Sequence, residues 1–187
     1  MILDLYTDGS CSGNPGPSGW GFLTMTDSAT VYEKFGAMVR EDGEFIHATN
    51  QQAELMACAK GFQWILENRN LHKIKGEDWT TVRLHSDSAY LLNCLKDRWY
   101  IGWMMRVDGN GHWLTSKGEL VQNQWIWKLI ITALGEIKKL GITVEFIKVK
   151  GHSGDRWNER VDQLARAGTG LSKEYFFTSE ISPTSRR

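Results

Sequence analysis

The chain lacks the features that would send it to a membrane, to a secreted scaffold or to a polyanion by composition alone. No segment approaches the roughly 18 uninterrupted apolar residues of a membrane span. Asp4 interrupts the N-terminus before any long apolar run, so a soluble, unprocessed protein is expected. Cysteines number only three, Cys11, Cys58 and Cys94, at wide spacing with no C-x-x-C pair. This argues against a disulfide framework and a cysteine zinc site and fits a reducing, cytoplasmic setting. Charge of one sign is missing too: 22 basic residues stand against 22 acidic ones. With no global field to attract nucleic acid, such a partner would be held by a local patch or through metal ions. There is no internal repeat.

What is present suffices for one domain with a full core, 187 residues of which 41% are hydrophobic. Residues 6–20 organise it. An alternating run over residues 1–7 delivers one carboxylate, Asp8, to a strand end, and a turn rich in Gly, Asn and Pro follows. Such a loop buries little and leaves backbone amides free, which suits a metal or a phosphate held close to the main chain.

Residues 19–25 and 30–35 read as two more strands, giving an antiparallel meander. Thr49-Asn50-Gln51-Gln52 is a capping box, and the helix it opens places Glu54 on a face shared with the small residues Cys58 and Gly61. Val82, Leu84 and Ser86 alternate in a fourth strand that ends at Asp87, and Ser88 caps a helix over 89–95. Five of the nine tryptophans, Trp99, Trp103, Trp113, Trp125 and Trp127, follow in a segment broken by loop signals, which predicts a helical excursion from the domain. Trp125 and Trp127 are two apart on a helix and cannot share a face, so at least one is expected to pack inside. A helix over 121–139, a fifth strand over 141–149, a glycine-flanked loop around His152 and a helix over 157–167 carrying Asp162 complete the pattern. Residues 169–187 are expected to form a loose tail, with Tyr175-Phe176-Phe177 folding back onto the domain.

Each acid alone has an ordinary reading. Asp8 can be a turn residue, Glu54 a helix-dipole acid, and Asp162 a partner for Arg166 at i, i+4. Taken together, Asp8, Glu54, Asp87 and Asp162 come from four elements whose ends or faces can converge. Four such carboxylates repel unless a divalent cation neutralises them, and oxygen donors suit Mg²⁺ or Mn²⁺.

The motifs Tyr6-Thr7-Asp8-Gly9-Ser10, Asn14-Pro15-Gly16-Pro17, Thr49-Asn50-Gln51-Gln52-Ala53-Glu54-Leu55, Ser86-Asp87-Ser88, and Val149-Lys150-Gly151-His152-Ser153-Gly154 followed by Asn158-Glu159-Arg160-Val161-Asp162 occur in one order. In them the chain resembles the type 1 ribonucleases H, which cut the RNA strand of RNA/DNA hybrids. The resemblance implies an α/β, RNase H-like fold: a five-stranded mixed sheet, order 3-2-1-4-5, flanked by helices. It implies a catalytic domain over residues 1–168 with a Trp-rich substrate-binding protrusion at about 96–124. It implies two Mg²⁺ ions, replaceable by Mn²⁺, on Asp8, Glu54, Asp87 and Asp162, with His152 assisting proton movement or product departure. It places Gly9, Ser10, Cys11, Asn14, Asn50 and Gln51 at the substrate, with Asn14, Asn50 and Gln51 reading the minor groove and the 2′-hydroxyls. Trp99 and Trp103 match the spaced tryptophans of the protrusion, Trp103 and Ser116 would line the DNA strand, and Thr49 and Asn123 its phosphate pocket. A monomer that cuts hybrids to 5′-phosphate and 3′-hydroxyl ends is the expectation.

The protrusion departs from the family's lysine-rich form: residues 96–128 hold five basic side chains against three acidic ones. Ala89 stands where some members have a polar residue, and His47 where the animal enzymes have an arginine. A hybrid-binding module that does not cut, and a DNA nuclease or transposase of the same fold, are the competing readings. The intact acid set argues against the first, and Asn14, Asn50 and Gln51 against the second.

Overall fold

Alternation along the first strand decides the layering, because successive side chains point to opposite faces of a sheet. Leu3 and Leu5 are fully buried towards one side, while Asp4, Tyr6 and Asp8 line the other. The computed structural model describes residues 1–27, 29–151 and 154–181, with residues 30, 31 and 179–181 described in backbone only. Strands β1 (Ile2–Cys11), β2 (Gly16–Thr26) and β3 (Ala29–Ala37) form the antiparallel meander. A two-residue strand, β4 (His47–Ala48), which the sequence does not announce, pairs with the start of β2. β5 (Thr81–Ser86) and β6 (Thr143–Lys148) add to β1 in parallel, so the main path runs β3-β2-β1-β5-β6. Counted over its five long strands this is the expected order, a mixed sheet flanked by helices.

α1 (Asn50–Ile74) begins where the capping box places it. The Gln52 amide donates to Thr49 Oγ1 at 3.2 Å, and Gln52 Oε1 accepts from the Thr49 amide at 2.9 Å. The helix is buried on two sides, against β1 and against α4 (Gln124–Lys139), so apolar residues spread around it instead of forming one stripe. Where it crosses the sheet, a Cβ on Gly61 would lie 2.7 Å from Leu5 Cδ1, and the small face shared with Glu54 is what permits the approach. α2 (Ala89–Lys96), capped by Ser88, completes this layer with α4 around the larger core. Gly135 in α4 meets nothing within 4 Å of an added Cβ. Gly135→Ala is therefore expected to stabilise the protein by about 0.5–1 kcal/mol in chemical denaturation, through helix propensity alone.

The excursion is less helical than its composition suggests. Only α3 (Trp99–Met104) is helix, and two bridged turns follow, Val107 with Trp113 and Leu114 with Leu120. Asn123 takes a left-handed conformation, φ 57°, so α4 starts at Gln124 and not at residue 121. The tryptophans explain the compactness: Trp103 packs edge-on against Trp127 at 5.5 Å, with Trp113 6.4 Å from it. Trp127 is fully buried and Trp125 partly so, as two non-facing positions require.

On the opposite face lies α5, and here the expected tail is corrected. α5 runs Arg156–Ile181, well past the stop predicted at residue 167. Gly168 does not end it, because its role is close packing. A Cβ on Gly168 would fall 2.2 Å from Gly36 O, and one on Gly19 would fall 2.2 Å from the Thr169 amide nitrogen. The helix lies almost backbone to backbone on β2 and β3 there. Beyond the crossing, Tyr175 stacks on Phe45 with centroids 4.0 Å apart, and Phe176 meets His47 edge-on at 4.3 Å. The fold-back is thus observed for Tyr175 and Phe176, as part of a docked helix, whereas Phe177 stays exposed.

Candidate active site

The side chains on one face of β1 and β5 form a ladder of cross-strand neighbours. At its base Arg83 donates twice to Asp4, from Nε and from Nη2 at 2.7 Å each, and His85 Nε2 lies 2.6 Å from the same carboxylate. One step up, Tyr6 stacks on His85 with centroids 4.2 Å apart and planes 8° from parallel. Continuing the parallel register by two residues brings Asp8 opposite Asp87, just past the end of β5, while β1 runs on to Cys11 and does not stop at Asp8 as expected. Gly9 then lets α1 close over this end. A Cβ at Gly9 would sit 2.2 Å from the Glu54 nitrogen, so only glycine allows Asp8 and Glu54 to be neighbours. Gly151 plays a similar part beside Asp87, its absent Cβ lying 3.0 Å from Asp87 Oδ2.

Asp8, Glu54, Asp87 and Asp162 all line one cleft of about 600 Å³, with Gly9, Ser10, Cys11 and Asn50 at its rim. The electrostatics are those of crowded acids. Burial first, then the Asp87 carboxylate, push Asp8 up to about 8, against the opposing pull of the Gly9 amide, which donates to Asp8 Oδ1 at 2.8 Å. Asp162 and Glu54 add to the repulsion. Glu54 is itself held above the usual carboxylate range, by burial more than by Asp87, although Ser88 and Lys148 pull it down. Lys148 Nζ donates to the Asp87 carbonyl.

All four side chains offer hard oxygen donors, and the Asn158 Oδ1 atom in the same cleft is buried with no hydrogen-bond partner among the described residues. Yet among the described residues no three acids converge closely enough to ligate one ion as they stand. Two local interactions hold them apart: Asn50 Nδ2 donates to Glu54 Oε1 at 2.8 Å, and Arg166 Nε lies 2.9 Å from Asp162 Oδ2. The pairing of Asp162 with Arg166 allowed by the sequence is therefore real, but it occurs at the cleft wall and is one that a cation would displace. The donor chemistry, though not the present spacing, suits a hard divalent ion.

The remaining candidates divide. Asn14 Oδ1 accepts from the Asn50 amide at 3.2 Å, tying the first loop to the start of α1. Asn123 sits between two glutamines, donating to Gln51 Oε1 at 3.1 Å and accepting from Gln52 Nε2 at 3.0 Å, which also brings it near Thr49. Trp103 is only 9% exposed within the tryptophan cluster, whereas Trp99 keeps 43% of its surface open. Ser116 is exposed in the second turn of the excursion, and no contact joins it to the cleft among the described residues. His152 lies outside the described residues. The sequence reading missed the far wall of the cleft, Arg166, Thr169, Gly170 and Lys173 of α5. Their spacing from Asp162, +4, +7, +8 and +11, is a helical signal that the assumed stop at residue 167 concealed.

With this geometry in hand the chain was compared with known proteins. A family model described as RNase H matches residues 2–170. A ribonuclease H from Syntrophomonas wolfei is 44% identical over 163 residues, covering 87% of this chain and 92% of the relative. One from Moorella thermoacetica is 37% identical over 166 residues, covering 88% and 90%. Among solved structures, RNase H1 from the halophilic archaeon Halobacterium salinarum superposes with a TM-score of 0.60 at 20% identity, covering 91% of this chain and 99% of that one.

Proposed function

The chain belongs to the RNase H family and is an endoribonuclease of that type, and from this premise we propose a metal-dependent hydrolysis of the RNA strand of RNA/DNA hybrids at the cleft of Asp8, Glu54, Asp87 and Asp162. The observation that carries the reading is that these four acids, from four separate segments, line one cleft, with Asp8 raised to about 8 by its surroundings. Burial and, after it, the repulsion of Asp87 raise it, and a bound cation offsets both by favouring the ionised carboxylate. Two divalent ions, Mg²⁺ with Mn²⁺ as a substitute, would activate a water and neutralise charge on the leaving oxygen. The water oxygen adds to phosphorus while the 3′ oxygen departs, giving 5′-phosphate and 3′-hydroxyl ends.

The chain's own residues position the substrate. Asn14, Asn50 and Gln51 carry amide groups able to donate to and accept from a ribose 2′-hydroxyl, the group that separates RNA from DNA. Gly9, Ser10 and Cys11 offer main-chain groups beside them. Thr49 and Asn123, joined through the glutamines, are assigned to a DNA phosphate, and Trp99, Trp103 and Ser116 to the DNA strand along the protrusion at about residues 96–124. His152 is assigned the proton on the product side, for which an imidazole is suited. The catalytic domain, expected over residues 1–168, extends in this reading through α5, and acts as a monomer. No helix among the described residues is long and apolar enough to cross a membrane. A cytoplasmic location is the one we favour, with Cys58 and Cys94 buried as free thiols.

The test is cleavage of a labelled RNA paired with DNA, in Mg²⁺ and in chelator, beside all-DNA and all-RNA duplexes. Cutting of the hybrid alone, dependent on metal and lost in Asp87→Asn, is expected. Failure to cut in either Mg²⁺ or Mn²⁺ with binding retained would leave a hybrid-binding module instead.

A further inference from the structure

One wall of the cleft has no part in the chemistry above. Past Asp162, α5 presents Arg166, Thr169, Gly170 and Lys173 to the same space as Asp8, Glu54 and Asp87. Arg166 is engaged with Asp162. Lys173 is different: its side chain is exposed, and it makes no ion pair or hydrogen bond among the described residues.

The segment that carries this lysine is held firmly. Thr169 Oγ1 donates to the carbonyl of Ser10 at 3.0 Å, which ties the helix to the loop following Asp8. Ser172 is completely buried, and Tyr175 and Phe176 dock on Phe45 and His47. The glycine crossing at Gly19 and Gly168 fixes the helix from the other end. A lysine at the lip of an acidic cleft that forms no ion pair among the described residues is placed for an anion that arrives with the ligand. The weakly basic protrusion, five cations against three acids over residues 96–128, leaves grip to be supplied elsewhere.

We propose that Lys173 contacts a backbone phosphate of the bound hybrid, extending the substrate footprint along α5 beyond the cut site. The inference rests on the hybrid-nuclease reading. At 1.5 Å of rise per residue Lys173 stands about 16 Å along the helix from Asp162, so the phosphate it meets is a few nucleotides away from the one being hydrolysed. An ammonium acts there as a mobile point charge that holds any sequence equally. Its contribution appears in binding and not in the chemical step.

The experiment compares wild type with Lys173→Ala, Lys173→Arg and Lys173→Glu, measuring KM and kcat on a labelled hybrid between about 50 and 200 mM salt. Lys173→Ala is expected to raise KM roughly two- to fivefold with little change in kcat, since one exposed ion pair is involved. The dependence of log KM on log salt should flatten by about one unit of slope, Lys173→Arg should restore both, and Lys173→Glu should exceed the alanine effect. Melting temperatures should not move, which separates this role from a structural one. An unchanged KM and salt slope in Lys173→Ala, with the wild type cutting normally, would overturn the proposal. If the wild type itself does not cut, the proposed reaction has failed. Hybrid binding in chelator, over the same salt series, then decides for or against Lys173 by the same slopes.

Discussion

Asp8→Asn is expected to abolish hybrid cleavage, by on the order of 10³-fold or more, and yet to make the metal-free protein more stable. Both effects follow from one charge. The Asp8 carboxylate is buried against Asp87, and its proton affinity rises from an ordinary value of 3.8 to about 8. Between those values the folded state keeps a proton that the unfolded chain has released, so stability falls as pH rises through the window. It is greatest below about 4 and has lost on the order of a few kcal/mol by pH 8. Asparagine keeps the shape and removes the charge. In chelator, wild-type stability to denaturant should decline from pH 5 to pH 8, and the Asp8→Asn profile should be flatter and higher at the alkaline end. Mg²⁺ should raise the wild-type melting temperature most at pH 8, where the ionised form it binds is the costly one. A variant that is both inactive and less stable than wild type in chelator at pH 8 would mean that the acids of this cleft do not repel as described.

The second large effect belongs to packing. Gly19→Ala should cost about 3 kcal/mol or more, because the new Cβ would meet the Thr169 nitrogen at 2.2 Å and the Gly168 carbonyl carbon at 2.3 Å. Both are backbone atoms of α5, and no side chain can rotate away to make room. To relieve the overlap α5 must lift from β2 and take Asp162 with it, so activity should fall with stability. Gly170→Ala, two residues further along the same helix, meets nothing within 4 Å and should be neutral or slightly stabilising. Urea denaturation of the two variants checks the contrast, and equal costs would show that the crossing is looser than these distances imply.

The same glycines explain where the sequence could and could not be read. Residues whose role is local were legible: Thr49 and Gln52 cap α1 reciprocally, Ser88 opens α2, and alternation marks β1 and β5 as strands, while their order in the sheet came from the family resemblance. The four acids were legible as a set through the motifs that carry them, and all four line one cleft, although Asp8 lies within β1 and Asp162 within α5 and neither is at an element end. What escaped depends on tertiary contact. Gly168 and Gly170 carry the signature of a helix stop, but Gly168 faces Gly19 and Gly36, and the packing gained there outweighs its poor helix propensity. Asn123 looked like helix interior, whereas its left-handed backbone and its bonds to Gln51 and Gln52 make it the hinge on which the excursion returns. The tryptophans suggested an arm reaching outwards, but Trp103 and Trp127 draw it back onto the domain.

The ladder of Asp4 with Arg83, Tyr6 with His85 and Asp8 with Asp87 constrains how this gene can change. Loss or gain of a single codon within Ile2–Cys11 or Thr81–Ser86 would turn every later side chain of that strand to the opposite face, sending one aspartate into the apolar layer and a core residue into the cleft. The turns at Gly43, Gly76 and Gly111, where an added Cβ meets open space, carry no such penalty. Length variation among descendants of this sequence should therefore collect in those turns and stay out of the two parallel strands, even where the residues between the aspartates and their partners drift.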